Sequence, residues 1–390
     1  MARVRVIRRL MELEEYATRW NELVDISSQA NVFQRWEWIW NWANVYIGEN
    51  SLLTLAVLEG NELVAIAPLW VEKKRHPGFV SLNVLRVMGS PESDYVDFIV
   101  REDDAARWSE LIWEHLFGPL RGEWDILEYI DVRADSSVLD SFARLSASDD
   151  RCAKMEQTGQ SVCPYIDLPD RWDEFLQSFS STGRYAINYS RRRLEKQGDL
   201  RLHFCENVDE LPDQLRRFIS LHQKSWRERG RAGAFATDKA KRFHERVAGD
   251  FLKKRILFLC SLSLDGTHIG SFYGFQFKNK LYYYLLAVER NPEKRVKTGT
   301  ALLGYCIEEA ITRRCREFDF LRGDEEYKYR WTKLNRENLR LRFYNRKVRV
   351  SVFIVYRSIV RTLRRAFKMA LDERTSRITE WPQRDDDTIE

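Results

Sequence analysis

Apolar and polar positions recur at two different periods along this chain, and the two periods take turns. Residues 33–46 place aromatic and aliphatic side chains at helical spacing. Residues 52–58 and 63–70 are short apolar runs flanking Glu59-Gly60-Asn61. Gly and Asn tolerate the positive φ of a tight hairpin, so two paired strands are predicted there. Residues 80–88 and 95–100 predict further strands, 105–117 an amphipathic helix and 124–130 another strand. The order then returns. Residues 256–264 and 268–277 predict strands joined at Asp265-Gly266, and a turn at Asn279-Lys280 leads into a strand over 281–288. A helix over 300–313 and a strand over 317–321 complete the second pass.

The two passes superpose as text. Leu58-Glu59-Gly60 matches Leu264-Asp265-Gly266, and Trp124-Asp125-Ile126-Leu127 matches Phe318-Asp319-Phe320-Leu321. An offset of about 200 residues in both places indicates one duplicated domain and not a short-period solenoid. Hairpins followed by a helix and a further strand make an α+β layered fold, each half a mixed sheet covered by helices. The expected units are residues 1–160, residues 161–345 and a C-terminal segment, 346–390. Between the halves, an Arg-rich helical stretch over 186–196 and a second helix over 211–229 leave no Pro/Gly/Ser-rich linker, so tight packing is expected.

Composition narrows the class. A chain of 390 residues with a hydrophobic fraction of 44% can bury a core for each half. No run approaches the roughly 20 apolar residues needed to span a bilayer. The arginines near the N-terminus are followed by no apolar run, so a secretory signal is not expected, and a cytoplasmic location is. The six cysteines and six histidines show no metal-ligand spacing, so reduced thiols and no metal are expected.

Three places could carry chemistry. Lys297-Thr298-Gly299-Thr300-Ala301 precedes and opens a helix, and a helix start offers unpaired N–H groups and a positive dipole end to a pyrophosphate; Lys294, Arg295 and Lys297 add positive charge. Asp319 lies on the last predicted strand, with Gly323 after it and Tyr327, Lys328 and Trp331 beyond, offering a phenol, an ammonium and an aromatic wall. His222 and Trp226 stand one helical turn apart, where a histidine could serve as general base or simply pack in the core.

His222-x-x-x-Trp226, the Asp265-Gly266 hairpin, Gly299 before a Leu-rich helix, and Phe318-Asp319-Phe320 through Tyr327-Lys328-x-x-Trp331 together resemble the CelD-type, BioF-like acetyltransferases of the GNAT superfamily. Phe33-Gln34-Arg35-Trp36-Glu37-Trp38 and Ile66-Ala67-Pro68-Leu69 are similar to that family's first half. The family is in turn similar to FemAB-type aminoacyltransferases built from two tandem GNAT-like halves. The resemblance implies an acyltransferase that uses acetyl-CoA as co-substrate, bound by the second half. The implied acceptor is an amine or hydroxyl of a sugar or small envelope or exopolysaccharide precursor. It implies His222 or Asp319 as base, Tyr327 as the acid for the leaving thiolate, Lys328 as a phosphate or carboxylate holder, and Trp226, Gly323 and Trp331 lining the acceptor. Val296 stands where the family's donor loop has Gln or Arg, which leaves acyl-CoA and aminoacyl-tRNA both open as donors.

Residues 338–371 contain no acidic side chain while Arg and Lys recur. Val352, Val355, Tyr356, Ile359, Leu363 and Phe367 fall on one helical face. Such a basic amphipathic helix can lie on an anionic membrane at the cytoplasmic side or dock on its own domain. Rival functions are a catalytically degenerate membrane-surface assembly factor and, ranked last, a nucleic-acid binder.

Overall fold

The computed structural model describes residues 2–48, 51–75, 81–291, 293 and 296–379, with backbone alone after residue 363. Lys294, Arg295 and the side chain of Phe367 lie outside the described positions.

The first half runs β1 (Ala2–Ile7), α1 (Leu10–Glu14), α2 (Ala17–Ile26), α3 (Trp36–Tyr46), β2 (Thr54–Glu59), β3 (Glu62–Ala67), β4 (Leu69–Lys74) and β5 (Leu82–Val87). It continues through β6 (Ile99–Val100), α4 (Ala105–Phe117), β7 (Ile126–Arg133) and α5 (Ser137–Ser148). Then follow β8 (Cys152–Asp167), α6 (Trp172–Gln177), α7 (Ser181–Glu195), β9 (Leu200–Phe204), α8 (Leu211–Arg227) and α9 (Asp238–Lys253). The described residues end with β10 (Leu257–Leu264), β11 (Thr267–Phe277), β12 (Lys280–Val288), α10 (Thr298–Thr312), β13 (Glu317–Asp319), β14 (Asn335–Asn345) and α11 (Val348–Thr379).

These strands make a four-stranded sheet, β1-β2-β3-β6, and a ten-stranded one, β4-β5-β7-β14-β8-β13-β12-β11-β10-β9. The larger sheet runs through both halves. The joint is made by β8 and β14, which pair antiparallel from Asn335↔Pro164 to Asn345↔Cys152. A boundary drawn at residue 160 therefore falls inside β8, which pairs with β13 of the second half at its far end. The layered two-half fold is present, with helices over mixed sheets, and the halves share backbone hydrogen bonds.

The duplication shows in topology. In the first half β5, α4 and β7 form a parallel crossover, with Val84↔Ile126 to Arg86↔Glu128 in register. In the second half β12, α10 and β13 do the same, with Lys280↔Glu317 to Tyr282↔Asp319. Both hairpin turns use positive φ, at Gly60 and at Asp265-Gly266, as the turn chemistry requires.

Three predicted elements are corrected. The strand expected over 63–70 is two strands, because Pro68 cannot donate to a ladder; β3 stays in the small sheet and β4 crosses to the large one. Only Ile99–Val100 of the expected strand 95–100 pairs, since Tyr95 takes a φ of 56°. The turn before β12 uses Lys278 and Asn279, both at positive φ, and not Asn279-Lys280.

Aromatic residues fill the contact between the halves. Phe33 and Trp38 from the first half meet Phe275 and Tyr284 of the second, with ring centroids 5.4–6.3 Å apart. Buried aromatic edges of this kind add to the hydrophobic gain and hold the halves at a fixed orientation. All six cysteines are buried and outside any disulfide.

Candidate active site

The site is built where β13 ends. After Asp319 the chain turns sharply, with Leu321 at φ 56° and Gly323 at φ 135°. The second value is one a side chain rarely adopts, so Gly323 is needed for the turn itself. The turn aims three carbonyls inward, and Lys328 Nζ donates to all of them: Leu321 O at 3.3 Å, Arg322 O at 3.0 Å and Gly323 O at 3.4 Å. Glu325 pairs with the same ammonium at 2.9 Å. Lys328 is buried and holds this loop closed.

Asp319 is fully buried and already saturated. Tyr95 Oη donates to both its oxygens at 2.8–2.9 Å, and Leu321 N donates at 2.8 Å. Arg336 lies 3.5 Å away and bonds Glu317 at 2.8 Å while stacking over the Tyr165 ring, 4.1 Å from its centroid. Burial raises the Asp319 carboxyl to about 6, against the pull of Arg336. Its counterpart in the first half, Asp125, is equally buried but is bonded by Lys347 at 3.3 Å and Arg349 at 2.6 Å from the chain that begins α11.

The first half supplies groups that reading the last third of the chain missed. Arg322 Nε lies 3.3 Å from Asp94, and its Nη1 reaches Asp131. Burial pushes Asp94 up, opposed by Arg322, and its Oδ1 is the atom ion-paired with Arg322 Nε, without a well-aligned hydrogen bond. Beside it Glu92 meets His244 Nε2 at 3.7 Å and accepts from Tyr46 Oη at 2.7 Å. Tyr284 Oη donates to the Glu92 carbonyl at 2.8 Å. Burial raises Glu92, but its bonds from His244 and Tyr46 outweigh this and hold it below the usual carboxylate range. The signal available in sequence was Glu92-Ser93-Asp94-Tyr95-Val96-Asp97, three carboxylates crowded into a stretch flanked by apolar residues.

Tyr284 is also where β12 bulges. Tyr273 pairs with Leu285 and Gly274 with Tyr283, leaving Tyr284 as the extra residue. Along its other edge β12 pairs with β13 only as far as Tyr282 and runs on alone to Val288. The two parallel strands thus open beyond Tyr282. Next to this stretch begins α10: Gly299 lies against Leu286 and Val288. The Lys297 side chain does not cap α10, and the N–H groups of Thr298, Gly299 and Thr300 meet no acceptor among the described residues. Thr298 and Ala301 are buried and Lys297 is exposed. A Cβ on Gly299 would make only ordinary contacts, so the loop does not demand glycine for its conformation.

The remaining expected site residues lie apart. Tyr327 points to the α10 side and donates to Tyr283 Oη at 3.1 Å; burial pushes it up to about 12. Trp331 stacks on Phe175 with centroids 6.4 Å apart. His222 sits in an aromatic box with Phe218, Trp226 and Phe235, centroids 5.2–5.9 Å away, and burial lowers it to about 4. It is therefore neutral at physiological pH, with Nδ1 3.3 Å from Gln223 Oε1 and its ring against aromatic groups.

A parallel strand pair that opens beside a helix start, joined to a second copy of the same unit, makes a two-half GNAT-like fold. Residues 181–329 match the family described as Acetyltransferase (GNAT) domain, from the start of α7 to just past Lys328. No curated protein is significantly similar in sequence. Among solved structures, FemX is similar in fold at 12% identity and a TM-score of 0.59, over 88% of this chain and 97% of that one. L-PGS from Bacillus licheniformis aligns at 12% identity and 0.51, over 88% and 96%. A conserved protein of unknown function from Bacteroides thetaiotaomicron aligns at 8% identity and 0.52, over 88% and 100%.

Proposed function

We propose that the second half binds acetyl-CoA between β12 and β13 and transfers its acetyl group to an amine or hydroxyl of a sugar or small envelope precursor held between the halves. The observation that carries this reading is the opening of β12 from β13 beside the start of α10, whose first N–H groups meet no acceptor among the described residues. A pantetheine arm can lie in the opening, paired to the free edge of β12, with the pyrophosphate on the α10 N–H groups. The corresponding helix of the first half, α4, follows Glu102, Asp103 and Asp104, whose carboxylates would repel a pyrophosphate. The first half is then a scaffold that completes the acceptor cleft.

In this mechanism the acceptor attacks the thioester carbonyl directly. Backbone N–H groups near the bulge at Tyr284 stabilise the oxyanion. Asp94 takes the proton: burial raises its carboxyl and its Oδ1 has only the 3.3 Å ion pair with Arg322, whereas Asp319 is saturated and His222 is walled in. Tyr327, protonated at any physiological pH, gives a proton to the thiolate that departs as the C–S bond of the thioester breaks. Lys328 and Asp319 keep the β13 turn in place, and Arg322 orients Asp94.

An aminoacyl-tRNA donor would need the basic stretch of α7 free for phosphates. Much of it is committed to the fold: Arg191 pairs with Glu308 at 2.5 Å, Arg193 with Glu293 at 2.9 Å, and Arg184 donates to the Phe179 carbonyl at 2.6 Å. This favours the thioester.

The test is a thermal shift with acetyl-CoA, longer acyl-CoAs, free CoA and charged tRNA. A donor at a hundred times its Kd should stabilise the chain by about 2.7 kcal/mol. A shift with charged tRNA and none with any CoA would replace this reading with the aminoacyl one. Once turnover is measured as thiol release, Asp94→Asn should lower kcat by about a hundredfold or more and remove the acidic limb of the pH–rate profile. His222→Gln should leave both nearly unchanged; the opposite pattern would return the base role to His222.

A further inference from the structure

One face of α7 packs inward through Ile187, Ser190 and Leu194. The opposite face carries Tyr185, Tyr189, Arg192 and Lys196, at i, i+4, i+7 and i+11, a spacing that a helix sets in one line. Tyr185 is 67% exposed, and its ring stands 5.6 Å from that of Tyr189 with the planes 31° from parallel. Arg192 and Lys196 are exposed. Neither pairs with an acid among the described residues, whereas Arg191 and Arg193 both do.

This line runs beside the approach to α10. Tyr189 Oη donates to Glu293 at 3.5 Å, Arg193 donates to the same carboxylate at 2.9 Å, and Asn291 Nδ2 donates to Gln197 at 2.8 Å. Asn291 and Glu293 lie between the free end of β12 and the start of α10, where the donor's pyrophosphate is proposed to sit. An exposed aromatic pair and two uncompensated cations are thus fastened next to an anion site. A protein partner covering the line would have to bury both cations along with the rings. A nucleotide complements both at once, since its base stacks on aromatic rings and its phosphate meets Arg and Lys.

We infer that the outer face of α7 binds the nucleotide end of the acyl donor, with the purine against Tyr185 and Tyr189 and the ribose phosphate beside Arg192 and Lys196. The identity of that nucleotide, the adenosine 3′-phosphate of CoA, rests on the donor reading above.

The experiment is calorimetric titration of the full chain with CoA, 3′-dephospho-CoA and 4′-phosphopantetheine. Wild type should bind CoA at least about tenfold more tightly than 4′-phosphopantetheine. Tyr185→Ala should weaken CoA by about tenfold, while Tyr185→Phe, which keeps the ring, should bind as wild type does. Arg192→Glu should remove the preference for CoA over 3′-dephospho-CoA. Both side chains are exposed, so the melting temperature of each variant should stay at the wild-type value. CoA binding that Tyr185→Ala and Arg192→Glu leave at the wild-type Kd would overturn the inference while the donor site stands. No binding of any CoA, with charged tRNA bound and weakened by Tyr185→Ala, would overturn the thioester reading and keep the line for a terminal adenosine. Binding of neither donor would overturn both.

Discussion

Arg336→Ala should lower the unfolding free energy by about 3–5 kcal/mol, the cost of leaving buried charge without its partner. The guanidinium is the cation beside both Glu317, at 2.8 Å, and Asp319, at 3.5 Å, and Asp319 reaches no solvent. The loss should also depend on pH. Asp319 is raised to about 6 in the fold from a usual value of 3.8. For a carboxyl raised on folding, the stability it contributes is present below the unfolded value and is lost as pH rises through the folded value. Without Arg336 the raised carboxyl moves higher still. The penalty of Arg336→Ala should therefore be larger at pH 8 than at pH 5, where Asp319 takes up a proton and the buried charge disappears. Urea unfolding at both pH values checks this. An equal loss at pH 5 and pH 8 would mean that Arg336 acts through its packing over Tyr165 and not through its charge.

Gly299→Asp should raise the KM for the acyl donor by about a hundredfold while leaving the melting temperature within a degree or two, the combination expected when an anion site is spoiled and no packing is lost. A Cβ at this position meets only Leu286 and Val288 at ordinary contact distance, so the fold accommodates a side chain. The carboxylate, however, would take up the N–H groups at the start of α10 and place a negative charge where the pyrophosphate is proposed to sit. Gly299→Ala separates the two effects, since it adds the carbon without the charge and should change KM by no more than a fewfold. If Gly299→Ala were as damaging as Gly299→Asp, the opening between β12 and β13 would be limited by space and not by charge.

The layered α+β architecture and its duplication were legible because both leave local marks. A hairpin turn needs residues that accept positive φ, and Gly60 and Asp265-Gly266 announce it at the same place in each half. Ala105–Phe117 is amphipathic at helical period and forms as read. The stretch from Tyr95 to Phe98 misled because its apolar residues satisfy a strand pattern, yet Tyr95 bends into positive φ to reach Asp319 across the molecule. Pro68 was visible but its consequence was not, since one missing N–H decided that β4 leaves its neighbour's sheet.

By itself the sequence determined the hairpins at Gly60 and Asp265-Gly266 and the helix over 105–117, that there are two copies of one plan, and that the Phe318–Trp331 segment carries polar groups no simple core strand would need. Only the tertiary structure decided what those groups do to one another. Asp319 and Lys328 are saturated by Tyr95, Arg336 and the turn's own carbonyls, His222 is enclosed by aromatic rings, and Glu92 and Asp94 arrive from more than 200 residues away. The physical reason is that hydrogen-bond saturation and desolvation depend on partners brought together by the β8–β14 joint, and no local pattern in the chain encodes that proximity.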